Sequence, residues 1–524
     1  MLAQKIFKVI LTGKVSSRKE SGLPEDWSRV EEWIYFRGHI DTCESEFVQQ
    51  KVSKWPDIPV LQDYSKSPDD SFWKFFPSKP LPVKPETEID IDKLESEVIS
   101  LKDKMTIHQL ERSLKAVNYL RYGAPSFQTE KLPGCFVKNA ASCHIHGREV
   151  TENIATWIKE GYAAGPFDGP PCANFRVNPL IAVVQPGKVR PVMNVSSPNG
   201  ESYNSNVDEH STENVKMASA KKFSQKLIVC GTNAIMSKHD LVAAYKQVPC
   251  KIEDLRLQGF YWLGKYFVET RQVFGAKTGV CNYDILGETL KLIAVLKSNI
   301  PDSLVLRQVD DVPSVGPAGS GFCEDFTNSY RSLCESLNVK LAENCPLNDK
   351  VFEIQVRGKV LGVMFDTSDL TWRLSEKKMW KAKCSVKQAL SEETVTLRDC
   401  QRLVGRMNDI SQMCPLLKAF RRPVIDLLAG IPSDASKDLS IKVTREAKDD
   451  LWVWAGFLQS DFKWLPIPRE MDSPPLRCKE FVSDAAGLAE SADPLSGPGC
   501  GNVAFCEFGT VIYANRLQWP DNFI

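Results

Sequence analysis

Between residues 180 and 337 the hydrophobic period changes repeatedly, and few folds accommodate the order in which it does so. NPLIAVVQ and VRPVMNVS are β-rich and meet at Pro186-Gly187, a strand–turn–strand signal. A helix is expected near 212–228, then a strand that ends at Asp240 and opens into a turn or helix. GFYWLGKYFVE reads as a hairpin turning at Gly264, residues 277–298 as a long helix, LVLRQVDDVPSV as strand–turn–strand, and 320–337 as another helix. Strand, helix, paired strands and helix in this order suit an α+β fold. Antiparallel strands would be backed by helices, in a layer of the split βαβ kind.

The flanks differ. Residues 1–85 are irregular and rich in Trp, Phe and Pro (FWKFFPSKPLPVKP), the pattern of a linker that docks by aromatic anchors. Residues 86–104 carry seven Asp/Glu against three Lys, and Leu94, Val98, Leu101 and Met105 recur at helical spacing. Thr106 with Gln109 reads as a capping box. It opens a helix whose buried face is Leu110, Leu114, Val117 and Leu120 and which Gly123 ends. REVTENIATWIKEGYAAG, 148–165, reads as a further amphipathic helix. Past about residue 375 the pattern turns helical. Thr396 is placed to cap a helix in which Leu397, Val404, Met407 and Ile410 share a face. From Arg373 to Arg422 twelve Lys/Arg face five Asp/Glu, so this stretch is either a solvated helix face or a grip on phosphates. A β-like segment begins near Phe481.

The 524 residues suffice for several domains. Lys plus Arg and Asp plus Glu each number 66, which argues against a protein that coats nucleic acid over its whole surface and leaves room for local basic patches. Sixteen cysteines without a C-x-x-C pair fit free thiols in a reducing, intracellular compartment, cytoplasmic or nuclear. Cys135, Cys143, His144 and His146 form the one local cluster, with His144 and His146 alternating like strand neighbours, but no second half follows at zinc spacing. No apolar run approaches the ~18 residues that span a bilayer. Lys5 and Lys8 interrupt the apolar N-terminus, so no membrane association is expected.

Asp310 and Asp311 sit between two apolar β-like stretches. Adjacent carboxylates repel, and a divalent cation would neutralise them; taken by itself, an Asp pair in a hairpin turn is more often turn chemistry. Asp240 sharpens the choice. A third carboxylate at the end of a strand could share hard cations with the pair, as two-ion phosphoryl transfer requires.

KHDLVAAYKQV, VFGAKTGV and QVDD, followed by LGVMFDT, in this order across about 188–368, resemble the palm motifs of reverse transcriptases and the hydrophobic hairpin at the base of their thumb. Together with RPVMN they are most similar to retrotransposon enzymes, of the DIRS type or gypsy-like. The resemblance implies a right-hand polymerase: fingers at 126–232, palm at 233–370 and a helical thumb and connection at 371–475. These follow an N-terminal extension at 1–125. It implies an RNA-directed DNA polymerase using two Mg²⁺ ions (Mn²⁺ as a substitute), an RNA template, a DNA primer or RNA–DNA hybrid, and deoxynucleoside triphosphates. Asp240, Asp310, Asp311 and the carbonyl of Leu241 would hold metal. Tyr245 would lie under the sugar and exclude a 2′-hydroxyl, with a core aromatic as its plainer role. Lys188 and Arg190 would grip the triphosphate, Arg through its planar fork; on a bare strand both are ordinary surface cations. Phe274 and Gly275 would floor the nucleotide pocket, Gln308 would meet primer, and Lys277 would touch template or be ordinary helix-start surface. Gln308 stands where many relatives have Tyr. Asn344 stands where many have a Lys proton donor, with Lys340 and Lys350 as substitutes. FVSDAAG and GPGCGNVAF, within 476–524, resemble the first hairpin of a ribonuclease H domain with Asp484 as its first metal ligand. With 41 residues from Asp484 onward, no ribonuclease H activity is expected of this chain alone. A polymerase-dead nucleic-acid-binding protein derived from a retroelement is the alternative.

Overall fold

The computed structural model describes residues 55–129, 132–185, 188–212, 215, 217–298, 300–343, 351–432, 435–459 and 465–467, apart from the side chains of 377, 415, 416, 459 and 466. Of 478–486, 499–506 and 511–518 it describes the backbone. Pro186-Gly187, Asn344 and Lys350 lie outside the described residues. The chain divides into two compact units, Met1–Ala218 with Met236–Val315 and Ser320–Gln355, and Ser219–Ile235 with Gly316–Gly319 and Val356–Ile524. The architecture is mixed α+β.

In the first unit, helices α1 (Ile91–Ser100) and α2 (Ile107–Tyr122) form the expected hairpin. Asp90 caps α1 by accepting from the Lys93 amide, and Thr106 and Gln109 complete the capping box of α2. Such caps contribute about 1 kcal/mol each. Gly123 ends α2 at φ +82°, where a Cβ would lie 2.5 Å from the Cys250 backbone, so nothing larger fits. The predicted helix over 148–165 is shorter. Helix α3 (Gly147–Lys159) stops before Gly161 at φ +71°, and the small residues after it pair as a strand. His144 and His146 are not strand neighbours either: Ala141–Ile145 is helical, and the His144 Nδ1 lies 2.9 Å from the Tyr64 carbonyl.

A five-stranded sheet runs β1 (Cys135–Phe136), β3 (Arg176–Val177), β7 (Gly259–Trp262), β8 (Lys265–Glu269), β2 (Ala163–Phe167). The β7–β8 hairpin turns through Leu263 and Gly264 as expected. Phe72 and Phe76 dock beneath it, Phe76 6.1 Å from the Phe267 ring, which bears out the aromatic anchoring of this part of the N-terminal tract. β4 (Leu180–Gln185) and β5 (Lys188–Met193) form a separate antiparallel ribbon. A three-stranded sheet has the order β10 (Phe352–Gln355), β6 (Ile235–Asp240), β9 (Asp311–Gly316). Helices α4 (Lys277–Ser298) and α5 (Phe322–Ser336) share its apolar core with α1 and α2. Because α4 is covered so widely, Tyr283, Ile285, Leu286, Leu290, Ile293 and Ala294 are all buried, and it lacks the single apolar stripe of a surface helix.

In the second unit, β11 (Arg357–Val360), β12 (Val363–Asp366), β13 (Thr371–Leu374) and β16 (Leu465–Pro466) form one sheet, and β14 (Thr394–Thr396) pairs with β15 (Ser440–Lys442). The helix expected near 212–228 is Ala220–Cys230. α6 (Glu376–Ser391), α7 (Leu397–Met413) and α8 (Arg445–Gln459) pack together. Thr396 caps α7 as its sequence predicts, with Leu397, Met407 and Ile410 buried and Val404 half-buried. Several cations of this basic stretch meet nearby acids: Lys378 with Asp409, Arg402 with Asp399, Arg422 with Asp426. β17 (Cys478–Ala486), β18 (Gly499–Cys506) and β19 (Val511–Gln518) form an antiparallel meander in which Asp484 opposes Gly501. The Asp484 side chain lies outside the described residues. Among the described residues no helix is long and apolar enough to cross a membrane.

Candidate active site

The two carboxylate-bearing segments meet where β6 ends and β9 begins. Residues 240 and 310 are seventy apart in the chain, yet the Leu241 amide donates to the Asp310 carbonyl at 3.3 Å. Asp240 closes β6 and is buried; its carbonyl accepts from the Ala342 amide at 2.8 Å. Asp310 lies within, and Asp311 closes, a tight turn in which Gln308 and Asp311 exchange backbone hydrogen bonds of 2.8 and 3.0 Å. Val309 occupies its tip at φ +56°, a left-handed conformation that a β-branched residue rarely adopts.

Period-two alternation splits β6 into two faces. Ser237 and His239 face the core. Ser237 Oγ lies 2.7 Å from Ser314 Oγ of β9, and Thr327 Oγ1 of α5 lies 3.2 Å both from Ser237 Oγ and from His239 Nε2. Burial drives the His239 pKa down to about 4, so the ring is neutral. This polar ladder fixes β6 against β9 where apolar side chains alone would permit slippage. Lys238 and Asp240 share the other face. Lys238 Nζ lies 3.2 Å from Asp311 Oδ1, a partner that the sequence reading missed although a spacing of two from Asp240 is its signal.

Around the carboxylates stand the expected aromatic and glycine. The Tyr245 ring meets Phe274 edge-on at 4.8 Å and Tyr283 at 5.7 Å. Burial, and next to it the charge of Asp310, push its phenol up to about 12, with Arg307 opposing. Phe274 is 48% exposed, a presented platform. Gly275, at φ +89°, has open space where a Cβ would go, the nearest atom being the Met193 carbonyl of β5 at 4.0 Å. Asn204 holds this loop: its amide donates to the Gly275 carbonyl at 2.8 Å and its oxygen accepts from the Lys277 amide at 2.9 Å. Tyr203 adds a buried contact to Thr278 at 2.9 Å. Neither Tyr203 nor Asn204 stands out in the sequence, because a polar loop residue carries no periodic signal.

The structure therefore gathers Asp240, Leu241, Asp310, Asp311, Tyr245, Phe274 and Gly275 through successive contacts. Lys188 and Arg190 lie on β5, whose Met193 end adjoins Gly275. Arg190 opposes Val183, and its buried Nε has no hydrogen-bond partner among the described residues. The Lys277 side chain turns to Glu209 at 2.6 Å. Lys340 is bracketed by Glu88 at 2.8 Å and Glu160 at 3.3 Å.

Asp240 and Asp310 carry carboxylate oxygens, the donor type that a hard divalent cation takes. Asp311 is engaged by Lys238, and among the described residues no three His, Cys, Asp or Glu side chains group closely enough to cage a metal.

No family model and no curated protein sequence matches this chain. Its fold is similar to solved structures of the foamy viral protease-reverse transcriptase. One, the dRH form in complex with double-stranded DNA, has 16% identity and a TM-score of 0.46, covering 86% of this chain and 71% of that one. A complex with an RNA/DNA hybrid has 15% identity and a TM-score of 0.46, covering 86% and 55%. A further complex with double-stranded DNA has 15% identity and a TM-score of 0.45, covering 84% and 83%. A likeness of this degree is coarse, and the chemistry is carried by the residues themselves.

Proposed function

We propose that the chain is a retroelement reverse transcriptase of the DIRS or gypsy type, extending a primer 3′-hydroxyl with deoxynucleotides on an RNA template. The observation that carries this reading is the Leu241–Asp310 backbone hydrogen bond, which makes neighbours of two carboxylate-bearing segments seventy residues apart. In this reading β6, β9 and β10 with α4 and α5 are the palm, β4 and β5 belong to the fingers, and the basic helices within 373–422 are a thumb that grips phosphates. Asp240, Asp310 and the Leu241 carbonyl would hold Mg²⁺ or Mn²⁺, with Asp311 joining on release from Lys238. Two such ions, when bound, supply neutralisation of phosphate charge and activation of the primer hydroxyl.

The chain's own residues do the rest. Arg190, with a buried donor that has no acceptor among the described residues, offers a fork to the triphosphate beside Lys188. Phe274 and Gly275 let a base and sugar approach the backbone, and Tyr245 beside them narrows the space at a ribose 2′ position. Gln308 would face the primer. Lys277, paired with Glu209, is free to touch template only by leaving that exposed pair, which costs little.

The decisive measurement is primer extension on an RNA template. The wild-type chain should extend, and Asp310→Asn should lower kcat by about 10³-fold or more, the loss of an electrostatic group acting in the transition state. Undiminished synthesis by that variant would sink the assignment. A second reading, a nucleic-acid-binding protein without polymerase activity, is favoured by the Lys238–Asp311 pair, which already neutralises one carboxylate without metal. Tight binding of RNA–DNA hybrid unaffected by Mg²⁺, with no extension, would establish it.

A further inference from the structure

We propose that Arg307 is a positioning residue for the Asp310 turn, and that the N-terminal helical hairpin α1–α2 acts on that turn through it; this rests on the polymerase reading of the site.

The turn that presents Asp310 has a left-handed Val309 and no glycine. Such a conformation persists only where its surroundings over-determine it. Arg307, itself 7% exposed, donates from Nη1 to the Val309 carbonyl at 2.9 Å. The guanidinium thus latches the peptide group that joins Val309 to Asp310. Its other nitrogens are fixed on α4: Nη2 pairs with the Asp284 carboxylate and lies 3.4 Å from the Asp284 carbonyl, and Nε lies 3.3 Å from Glu288 Oε2. The helix is hollowed to admit it. A Cβ on Gly287 would come within 2.8 Å of Arg307 Nη1. A fork of fixed geometry is needed to meet a carbonyl and a carboxylate at once, which a Lys does not provide.

Asp284 is shared. Its Oδ2 accepts from Arg112 Nη2 of α2 at 2.6 Å, across 172 residues of sequence. One buried carboxylate therefore lies between an outer guanidinium on the N-terminal hairpin and an inner guanidinium on the candidate catalytic turn. When Arg112 is withdrawn, Asp284 is left to Arg307 and Glu288's side of the cluster, and Arg307 is drawn off the Val309 carbonyl. Groups in one hydrogen-bonded network couple in this way rather than adding.

The test uses the full chain and the variants Arg307→Met, Arg307→Lys, Arg112→Met, Arg112→Lys and the double Met variant. Hydrogen exchange at the Gln308 and Asp311 amides, measured without metal, reads the turn itself. Binding of Mn²⁺ alone, followed by electron paramagnetic resonance, reads the carboxylates. Arg307→Met should lower protection of the two amides and Mn²⁺ affinity by about 10-fold each, and should lower kcat with KM for the nucleotide unchanged. Arg112→Met should give the same pattern at about 3-fold, Arg112→Lys should restore much of it, and the double variant should match Arg307→Met. Unchanged amide protection in Arg307→Met, or independent effects of the two Met variants, would overturn the proposal. If Arg307→Met does not fold, Arg307→Lys and Arg112→Met decide in its place, unchanged protection in both being the contrary result. A wild-type chain that never extends a primer, with variants that follow the exchange pattern, removes the polymerase reading and keeps the brace. A wild-type chain that extends, with Asp310→Asn dead and exchange unaltered, removes the brace alone.

Discussion

Two tight turns in the first unit solve the same geometric problem in different ways. At Leu263-Gly264, joining β7 to β8, both central residues have positive φ, +50° and +90°, and the second is glycine. Glycine at the second position is what a two-residue hairpin favours. The hairpin between β11 and β12 repeats it with Leu361 and Gly362. At Val309-Asp310 the closing pair is again backbone to backbone, between Gln308 and Asp311, but a β-branched residue holds φ +56° where glycine would relax. In the first kind of turn glycine relieves the second position, and a leucine, unbranched at Cβ, takes the first. The second kind is held from outside, by the Arg307 guanidinium on the Val309 carbonyl. Strain kept in place by its surroundings is what a site gains when one side chain must point one way.

After the loss of rate expected of Asp310→Asn, the largest effect near the second turn concerns selectivity. Tyr245 stands between the charge of Asp310 and the exposed Phe274 ring. Tyr245→Ala should lower discrimination against ribonucleotides by about 100-fold, the scale at which a pocket rejects or admits a single hydroxyl. The measurement is the ratio of kcat/KM for deoxy- and ribonucleotides. A ratio unchanged from the parent would mean that the turn's surroundings are packing and nothing more.

Val309→Gly probes the strain directly. The left-handed conformation costs a residue such as Val about 1–2 kcal/mol. Gly removes that cost and adds unfolded-state entropy worth about 1 kcal/mol. The two nearly cancel, so the melting temperature should hardly move. The kcat of extension should nevertheless fall about 10-fold, because the Asp310 carboxylate loses its fixed bearing. Equal kcat in variant and parent would make the turn ordinary.

The sequence was most readable where structure is local. The α4 span, the Thr106–Gln109 box, the Thr396 cap and the Gly264 turn each depend on residues a few positions apart, and each stands where its spacing puts it. The neighbouring placement of Asp240 and Asp310 was readable only through motif order, since no local rule links residues seventy apart. The Lys238–Asp311 pair was half visible, in the period of the strand but not in the identity of its partner. The Arg112–Asp284–Arg307 cluster was invisible, because burial and a shared carboxylate decide it. Short alternating segments misled: His144 and His146 look extended on paper, yet Ala141–Ile145 is a helical turn.

The smallest effect should come from the glycine turn, and its value is as a control. A Cβ on Gly264 would lie 2.7 Å from Ser67 Oγ, at a φ that side chains rarely adopt. Gly264→Ala should therefore cost about 1–2 kcal/mol. That is a drop of a few degrees in apparent Tm. Ser67 Cβ also lies 3.0 Å from the added Cβ, so the serine must give by a few tenths of an ångström and the backbone term is the lower bound of the cost. Extension kcat and ribonucleotide discrimination should stay at parental values, since Gly264 touches none of Asp240, Asp310 or Tyr245. Val309→Gly changes rate without stability and Gly264→Ala changes stability without rate. If Gly264→Ala lowered kcat as much as it lowered Tm, the two turns would belong to one cooperative unit, and the latch on Val309 would have no separate role in holding the carboxylate.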